Sequence, residues 1–89
     1  MASTIHLRVL TDAGLAFEDE AASIRAPGAL GSFGMLRNHA PLISTLVPGP
    51  LIWRQPGGVT RIARLQGGLL EIVKNRCTIL TKAVQFPAS

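Results

Sequence analysis

Residues 66–80, QGGLLEIVKNRCTIL, decide the fold class of this chain of 89 residues. Two aliphatic runs of strand length, residues 69–74 and 77–82, are joined around Asn75, a residue type that tolerates positive φ. This pattern predicts a β-hairpin with a tight turn. The preceding pair, Gly67 and Gly68, predicts a bulge or a close backbone approach inside a strand.

Further strand signals lie on the amino-terminal side of this hairpin. Residues 5–9 alternate apolar and polar side chains, the period of a half-buried strand. Residues 51–54 and 59–65 are strand-length runs separated by a proline- and glycine-containing turn at residues 55–58. Nine glycines and six prolines cut the chain into pieces too short for a helical bundle. Strands at such spacing predict an all-β sandwich or barrel.

One segment contradicts this pattern. Residues 15–26, LAFEDEAASIRA, are rich in helix formers and contain neither glycine nor proline. On propensity alone, residues 16–25 predict a helix. In an all-β fold, the three consecutive acids at residues 18–20 are instead interpreted as the acidic tip of a hairpin. The residues alone leave both alternatives open.

Size and composition predict one domain, residues 1–89, with one modest core. Hydrophobic residues make up 47% of the chain and charged residues 16%, which argues against disorder. Cys77 has no partner for an intrachain disulfide, and its apolar surroundings predict a buried side chain and not a reactive thiol. No run approaches the ~18 apolar residues of a membrane span. The amino end lacks a secretory signal pattern, which favours a reducing compartment.

Charge is distributed unevenly along the chain. Residues 1–50 carry three arginines and four acids, a net charge of −1, whereas residues 51–89 carry six basic residues and one acid, a net charge of +5. Such asymmetry fits a nucleic-acid or membrane-surface face, and equally fits solvated strands or a partner subunit. Nucleic-acid binding needs aromatic residues interleaved with basic ones. The four aromatic residues are scattered along the chain: Phe17, Phe33, Trp53 and Phe86. Trp53 is expected to be a partly buried residue of the sheet.

No motif predicts catalysis, a metal site or a cofactor site. The glycine-rich residues 28–34 lack the Gly-Lys-Ser/Thr of a phosphate loop and predict an exposed, tightly turned loop. His39 has no nearby carboxylate or nucleophile in sequence, so it is interpreted as a structural residue. Two histidines and one cysteine lack metal-ligand spacing. The acids at residues 18–20 are contiguous and cannot converge on one substrate bond.

Five segments carry a resemblance to a known family. Residues 34–43, GMLRNHAPLI, and residues 66–72, QGGLLEI, are similar to the N-terminal domain of the epsilon subunit of F-type ATP synthases. Residues 4–11, 24–28 and 47–49 match in the same order. The family's domain is a flattened β-sandwich of about ten short strands. The resemblance therefore implies that residues 15–26 are extended, or extended around a turn, and not helical.

The resemblance also implies a function. The family's domain is a non-catalytic rotor subunit that binds the gamma subunit and the c-subunit ring and couples proton or sodium flow to ATP synthesis. It lies at the cytoplasmic face of the bacterial inner membrane or in the equivalent organelle compartment. The implied c-ring-facing residues are Gly28, Ala29, Leu30, Gly31, Ser32, Phe33, Gly34 and Arg37. The implied gamma-facing residues are Thr11, His39 and Ser44. The alternative is a small β-barrel module that binds nucleic acid or another polyanion.

The chain departs from the family's pattern at several positions. Longer members continue into a two-helix hairpin that inhibits ATP hydrolysis and in some binds ATP; residues 83–89 are too few for it, so a short form without ATP binding is expected. Ser32 stands where the loop usually carries an acid, and Arg37 where proline is frequent. The c-ring contact is therefore expected to rest on apolar burial, with polar contacts from Arg37 and His39. Phe33 fits either this contact or the domain's own core.

Overall fold

The described part of the chain, residues 4–87 of a computed structural model, is built from strands and contains no helix. The all-β prediction is confirmed, whereas the two ends of the predicted domain, residues 1–3 and 88–89, lie outside the described residues. No helix long and apolar enough to cross a membrane occurs between residues 4 and 87. The strands are β1 (Ile5–Thr11), β2 (Gly14–Ala21), β3 (Ser23–Gly28), β4 (Gly31–Leu36), β5 (Leu42–Arg54), β6 (Thr60–Val73), β7 (Arg76–Leu80) and β8 (Val84–Gln85).

The helix predicted by propensity for residues 16–25 is wrong, because this segment is extended in β2 and β3. The acids at residues 18–20 lie inside β2 and not at a hairpin tip, so that alternative is also wrong. In β2, Ala21 faces the core, while Glu18 and Glu20 are paired with Arg8 and His6 of β1. Cross-strand pairing and burial of alternate residues therefore outweigh the local preference for helix.

The strands form one sheet that folds over into two layers. Their order is β2-β1-β7-β6-β5-β3-β4, with β8 on β6; β1 and β7 are parallel and the other pairs antiparallel. Strands β2 and β5 are four positions apart, which is about 19 Å in a flat sheet. The rings of Phe17 in β2 and Trp53 in β5 nevertheless stack with centroids 5.0 Å apart. The sheet must therefore curl until its first strands cover its later ones.

The fold-over runs through the middle of the two long strands. In β6, Ala63 and Leu65 are buried before Gly67, whereas Leu70 and Ile72 are buried after it. Alternate residues of a strand face the same way. The core-facing residues therefore change from odd-numbered to even-numbered positions at Gly67 and Gly68. Strand β5 changes likewise between Leu46 and Leu51. Counting these two strands as halves yields ten segments, the number that the resemblance implies.

Gly68 makes this corner possible. Its φ is +131°, and a Cβ there would overlap the carbonyl oxygen of Leu80. The pairing of β5 with β6 keeps one register through Leu46 and Pro48, so the glycine pair makes no register shift in that ladder. Of the two predictions for the pair, the close backbone approach is confirmed.

Both predicted hairpin turns are present. Lys74 and Asn75 form the two-residue turn between β6 and β7, with φ of 49° and 62°. The Asn75 carbonyl accepts a hydrogen bond from the His6 backbone (2.8 Å), and its side-chain oxygen accepts one from the Asn38 backbone (2.6 Å). The β6–β7 turn is thus hydrogen-bonded both to β1 and to the segment after β4. The β5–β6 turn closes through Gln55 and Val59.

The core lies between the two layers. The prediction for Cys77 is confirmed: it is buried, and burial raises the pKa of its thiol to about 12. Trp53 is more deeply buried than predicted, with 2% of its surface exposed. The buried apolar residues are Ile5, Leu7, Val9, Ala21, Ile24, Ala26, Met35, Leu46, Leu51, Trp53, Ala63, Leu65, Leu70, Ile72, Cys77 and Ile79.

Candidate functional site

The predicted glycine-rich loop, residues 28–34, is a hairpin and not an irregular loop. Gly28 at the end of β3 pairs with Gly31 at the start of β4, so only Ala29 and Leu30 form the turn. The Leu30 side chain is fully exposed. The Ala29 backbone N–H donates to the Thr45 carbonyl (2.9 Å), which fixes the turn against β5. The hairpin therefore exposes one apolar side chain, that of Leu30, on a turn whose backbone is held by a hydrogen bond.

Phe33 lies inside this hairpin and packs inward. It is half-buried against the core, and a Cβ on Gly28 would stand 2.8 Å from its ring carbons and 2.7 Å from the Gly31 carbonyl oxygen. Gly28 therefore leaves the space that the ring occupies. Of the two interpretations of Phe33, the structure favours the core, and Leu30 alone forms the apolar tip.

A groove of about 600 Å³ separates the hairpin from the first half of β5. We call it the loop groove; it is lined by residues 28–34, His39 and residues 42–45. His39 and Ser44, implied to face gamma, thus share a site with the implied c-ring residues. Their polar contacts are local: His39 Nδ1 lies 2.7 Å from the Ala40 carbonyl oxygen, and Ser44 Oγ donates to the Thr45 carbonyl (3.2 Å). Arg37 is exposed just after β4 and does not line the groove.

Thr11 lies apart from these residues, at the end of β1 three strands from β5. Its hydroxyl accepts a hydrogen bond from the Ala13 backbone (3.2 Å) in the β1–β2 turn. The structure therefore divides the implied gamma-facing residues. Thr11 lies at one side of the layer formed by β2, β1, β7 and the adjoining halves of β6 and β5, and His39 and Ser44 lie at the other side.

A row of leucines connects the two sides. Leu15 of β2 pairs with Leu10 of β1, Leu10 with Leu80 of β7, and Leu80 with Leu69 of β6, which in turn pairs with Thr45. Leu15, Leu69 and Leu80 are 50%, 43% and 51% exposed, and Leu10 is half-buried. We call these four residues the leucine row. It begins beside Thr11 and ends one residue from Ser44.

Sequence reasoning missed the leucine row because the four residues come from four strands. Only the register, including the parallel pairing of β1 with β7, brings them side by side. The available signal was weak: Leu80, Leu69 and Leu10 each stand at positions that alternation in their strands turns away from the core.

Polar residues border the row on the same outer face. His6 Nδ1 lies 2.6 Å from Glu20 Oε2 and its Nε2 lies 3.3 Å from Glu18 Oε2. The hydrogen bond to Glu20 raises the pKa of His6, burial opposes this, and Glu18 adds to the increase. The same contact with His6, aided by the Thr4 hydroxyl, lowers the pKa of Glu20. These groups cross-link β1 and β2 on the exposed outer face.

The thiol of Cys77 and the buried polar side-chain atoms have structural roles. The buried Cys77 is held in its protonated form, in which it is a poor nucleophile. The side-chain polar atoms buried within residues 4–87 all have hydrogen-bond partners. Residues 4–87 hold no cluster of three or more acidic, histidine or cysteine side chains with metal-ligand geometry.

Comparison with known families agrees with this geometry. The family described as "ATP synthase, Delta/Epsilon chain, beta-sandwich domain" matches residues 4–87. This chain belongs to that family. The match covers the described strands from β1 to β8, including the hairpin, the loop groove and the leucine row.

Two relatives with similar sequences come from bacteria. The chain is 33% identical over 85 residues to the ATP synthase epsilon chain of Desulfosudis oleivorans and 39% identical over 85 residues to that of Desulfitobacterium hafniense. Each alignment covers 96% of this chain and 64% of the relative. The chain thus spans somewhat less than two thirds of the length of these relatives.

Solved structures share the fold. A chain of the Euglena gracilis mitochondrial ATP synthase superimposes with a TM-score of 0.87 at 21% identity, covering 94% of this chain and 54% of that one. A chain of the Tetrahymena thermophila mitochondrial ATP synthase central stalk and c-ring structure gives a TM-score of 0.72 at 19% identity, covering 90% and 64%.

Proposed function

We propose that this chain is a non-catalytic central-stalk subunit of an F-type ATP synthase. It binds the gamma subunit and the c-subunit ring and couples ion translocation to ATP synthesis. The family match over residues 4–87 carries the proposal. The relatives' name, ATP synthase epsilon chain, supports it, as do the c-ring and central stalk named for the two assemblies with this fold.

The leucine row is the proposed gamma-binding surface. Four adjacent leucines leave a continuous apolar strip exposed, and burying such a strip against a partner is favourable by about 25 cal/mol per Å². Thr11 and Ser44 adjoin the row in sequence, but strand alternation turns their side chains to the opposite face of the sheet. The exposed Thr45, which pairs with Leu69, supplies a small polar group at the β5 end of the row. His39 borders the same end through the loop groove.

The β3–β4 turn is the proposed c-ring contact. Leu30 is fully exposed, and the hydrogen bond from Ala29 to Thr45 holds the turn in place before any partner arrives. A braced turn loses less conformational entropy on binding than a free loop. Arg37 lies just after β4, at the end of the hairpin opposite to Leu30, where Leu36 pairs with Ser23, so the proposed contact at the turn rests on the apolar tip.

Two further parts of the proposal concern nucleotide and location. The glycines of residues 28–34 belong to the strands of the β3–β4 hairpin and lead into no helix, so they do not form the phosphate cradle expected at a helix N-terminus. We therefore expect no ATP binding by this polypeptide. Through its partners, the chain would lie peripherally at the cytoplasmic face of a bacterial inner membrane or in the equivalent organelle compartment.

Co-expression with the gamma subunit of the same genome tests the proposal. We expect a stable one-to-one complex by size-exclusion chromatography that survives 0.5 M salt, because apolar contacts are not screened. Absence of a complex at micromolar concentration would contradict it. Tight, steeply salt-dependent binding to a single-stranded oligonucleotide would instead favour the polyanion-binding alternative.

A further inference from the structure

The layer formed by β3, β4 and the adjoining halves of β5 and β6 has a basic outer face. Arg25, Ile52 and Ile62 lie side by side on three neighbouring strands. Arg54 follows Ile52 by two residues in β5, and Arg64 follows Ile62 by two residues in β6, so both face the same way as the isoleucines. Because the two strands are antiparallel, the arginines lie on opposite sides of the isoleucine pair. We call these five residues the arginine face. It places a partly exposed apolar pair among three cations.

Within residues 4–87, no acidic side chain lies on this face. The five acids of the chain are Asp12 in the β1–β2 turn, Glu18, Asp19 and Glu20 in β2, and Glu71 in the second half of β6. The ion pairs within residues 4–87 involve His6 and Arg8 only. The Arg25 guanidinium lies over Gly34 of β4 and donates a long hydrogen bond to Ser32 (3.4 Å). The positive potential of the three arginines is thus left for a partner to neutralise.

The face is concave on the side of β4. A groove of about 670 Å³ is lined by residues that include Arg25, Gly34, Leu36, Ile52 and Arg54. A concave, partly apolar surface fits a rod better than a flat bilayer. It also lacks the aromatic platforms that single-stranded nucleic acid uses. Phe17, Trp53 and Phe86 are clustered with one another and Phe33 packs on Gly28.

We propose that the arginine face is a second docking surface, which binds an acidic amphipathic helix of a partner protein. The helix, about 10 Å across, spans roughly two strand spacings. Its apolar stripe covers Ile52 and Ile62, and its flanking carboxylates pair with Arg25, Arg54 and Arg64. Arginine suits this role because its planar donors match a carboxylate in two-point contact. The surface lies on the opposite layer from the leucine row, so the two partners do not compete.

The test uses two labelled synthetic helices of 18 residues with the same leucine stripe, one flanked by glutamates and the other by lysines. By fluorescence anisotropy at low salt, we expect the acidic peptide to bind the full chain at least about tenfold more tightly than the basic one. Arg54→Glu and, separately, Arg64→Glu should each weaken acidic-peptide binding about five- to tenfold. The matched control is Arg76→Glu, which reverses an exposed arginine on the outer face of the other layer and should change binding less than twofold.

The proposal is overturned if the two peptides bind equally, if neither binds, or if Arg76→Glu weakens binding as much as Arg54→Glu. It is also overturned if a dT12 oligonucleotide or vesicles of anionic phospholipid bind more tightly than the acidic peptide. Because the peptides contain no gamma sequence, these results are independent of the proposed stalk function. Thermal melts of all three variants confirm that each is folded under the assay conditions.

Discussion

Trp53 Nε1 donates a hydrogen bond to Asp19 Oδ2 at 2.8 Å, joining two strands that the sheet order places four positions apart. The same oxygen accepts a second hydrogen bond from Gln55 Nε2 at 2.7 Å. With the stacking of Phe17 on Trp53, this contact closes one end of the sandwich. One carboxylate therefore has a structural role that its place in an acidic run does not reveal.

Removing this carboxylate should destabilise the domain. Asp19→Ala leaves the indole N–H of the buried Trp53 without its acceptor, at an expected cost of about 1–3 kcal/mol in the free energy of unfolding. Urea denaturation followed by Trp53 fluorescence measures it. Asp12→Ala, in the exposed β1–β2 turn, is the control and should change stability by less than about 0.5 kcal/mol. Equal effects of the two substitutions would contradict the role given to Asp19.

Stability should also depend on the ionisation of Asp19. Burial tends to raise the pKa of this carboxyl, but the hydrogen bonds from Trp53, Gln55 and the Glu20 backbone, with Arg61 nearby, lower it below 3.8 overall. A lowered folded-state pKa favours the folded state above the unfolded pKa, and this gain is lost as pH falls through the folded value. We therefore expect acid titration below pH 4 to destabilise the wild type more than Asp19→Asn.

His6 should give the opposite dependence. Its hydrogen bond to Glu20 raises its pKa above 6.5, so its contribution to stability is full below pH 6.5 and is lost as pH rises through the folded value. Arg76 faces it from β7 and makes no ion pair with either acid. Urea denaturation at pH 5.5 and 8.5 should show a smaller pH difference in His6→Gln than in wild type. An unchanged pH difference in His6→Gln would contradict this role of His6.

The corner of the sheet depends on Gly68. In Gly68→Ala, the new methyl group meets the Leu80 backbone and the φ of +131° becomes strained, so we expect a loss of about 3 kcal/mol or more, or failure to fold. Gly57→Ala, where no atom lies within 4 Å of the new methyl group, should leave the melting temperature almost unchanged. A fully stable Gly68→Ala domain would show that the sheet folds over by another route.

The two apolar residues of the β3–β4 hairpin should behave differently. Phe33→Ala removes a half-buried ring that packs on Gly28, and should cost about 1–3 kcal/mol of stability. Leu30→Asp alters a fully exposed side chain and should leave stability unchanged while weakening association with the c-ring. The measurements are thermal melts and co-sedimentation with purified c-ring in detergent. A stable Phe33→Ala domain that fails to bind the ring would reverse the two assignments.

Local patterns in the sequence predict the parts of the fold that local residues determine. The turn at Lys74 and Asn75 follows from a residue type that tolerates positive φ, and the burial of Cys77 from its apolar neighbours. The local propensity of residues 16–25 predicts a helix, whereas the contacts that extend this segment, Glu20 with His6 and Asp19 with Trp53, come from other strands. The three glycines of residues 28–34 predict a loop, whereas pairing with β3 extends most of this segment into β4.

The candidate surfaces were less predictable than the fold. The hairpin tip was found from its glycines, and His39 and Ser44 from the resemblance, but their common groove depends on how β5 lies beside the hairpin. The leucine row and the arginine face are products of register across three or four strands. No spacing along the chain encodes them, because the residues of each surface are separated by turns of different lengths.

Two matched variants measure whether the gamma subunit binds the leucine row. Leu80→Lys places a charge in the leucine row, while Ile62→Lys places the same charge at a similarly exposed position on the opposite layer. By isothermal titration calorimetry with gamma from the same genome, we expect Leu80→Lys to weaken binding at least about tenfold and Ile62→Lys to bind like wild type. Wild-type affinity in Leu80→Lys would contradict the assignment of the leucine row, and the absence of gamma binding by the wild type would contradict the proposed function itself.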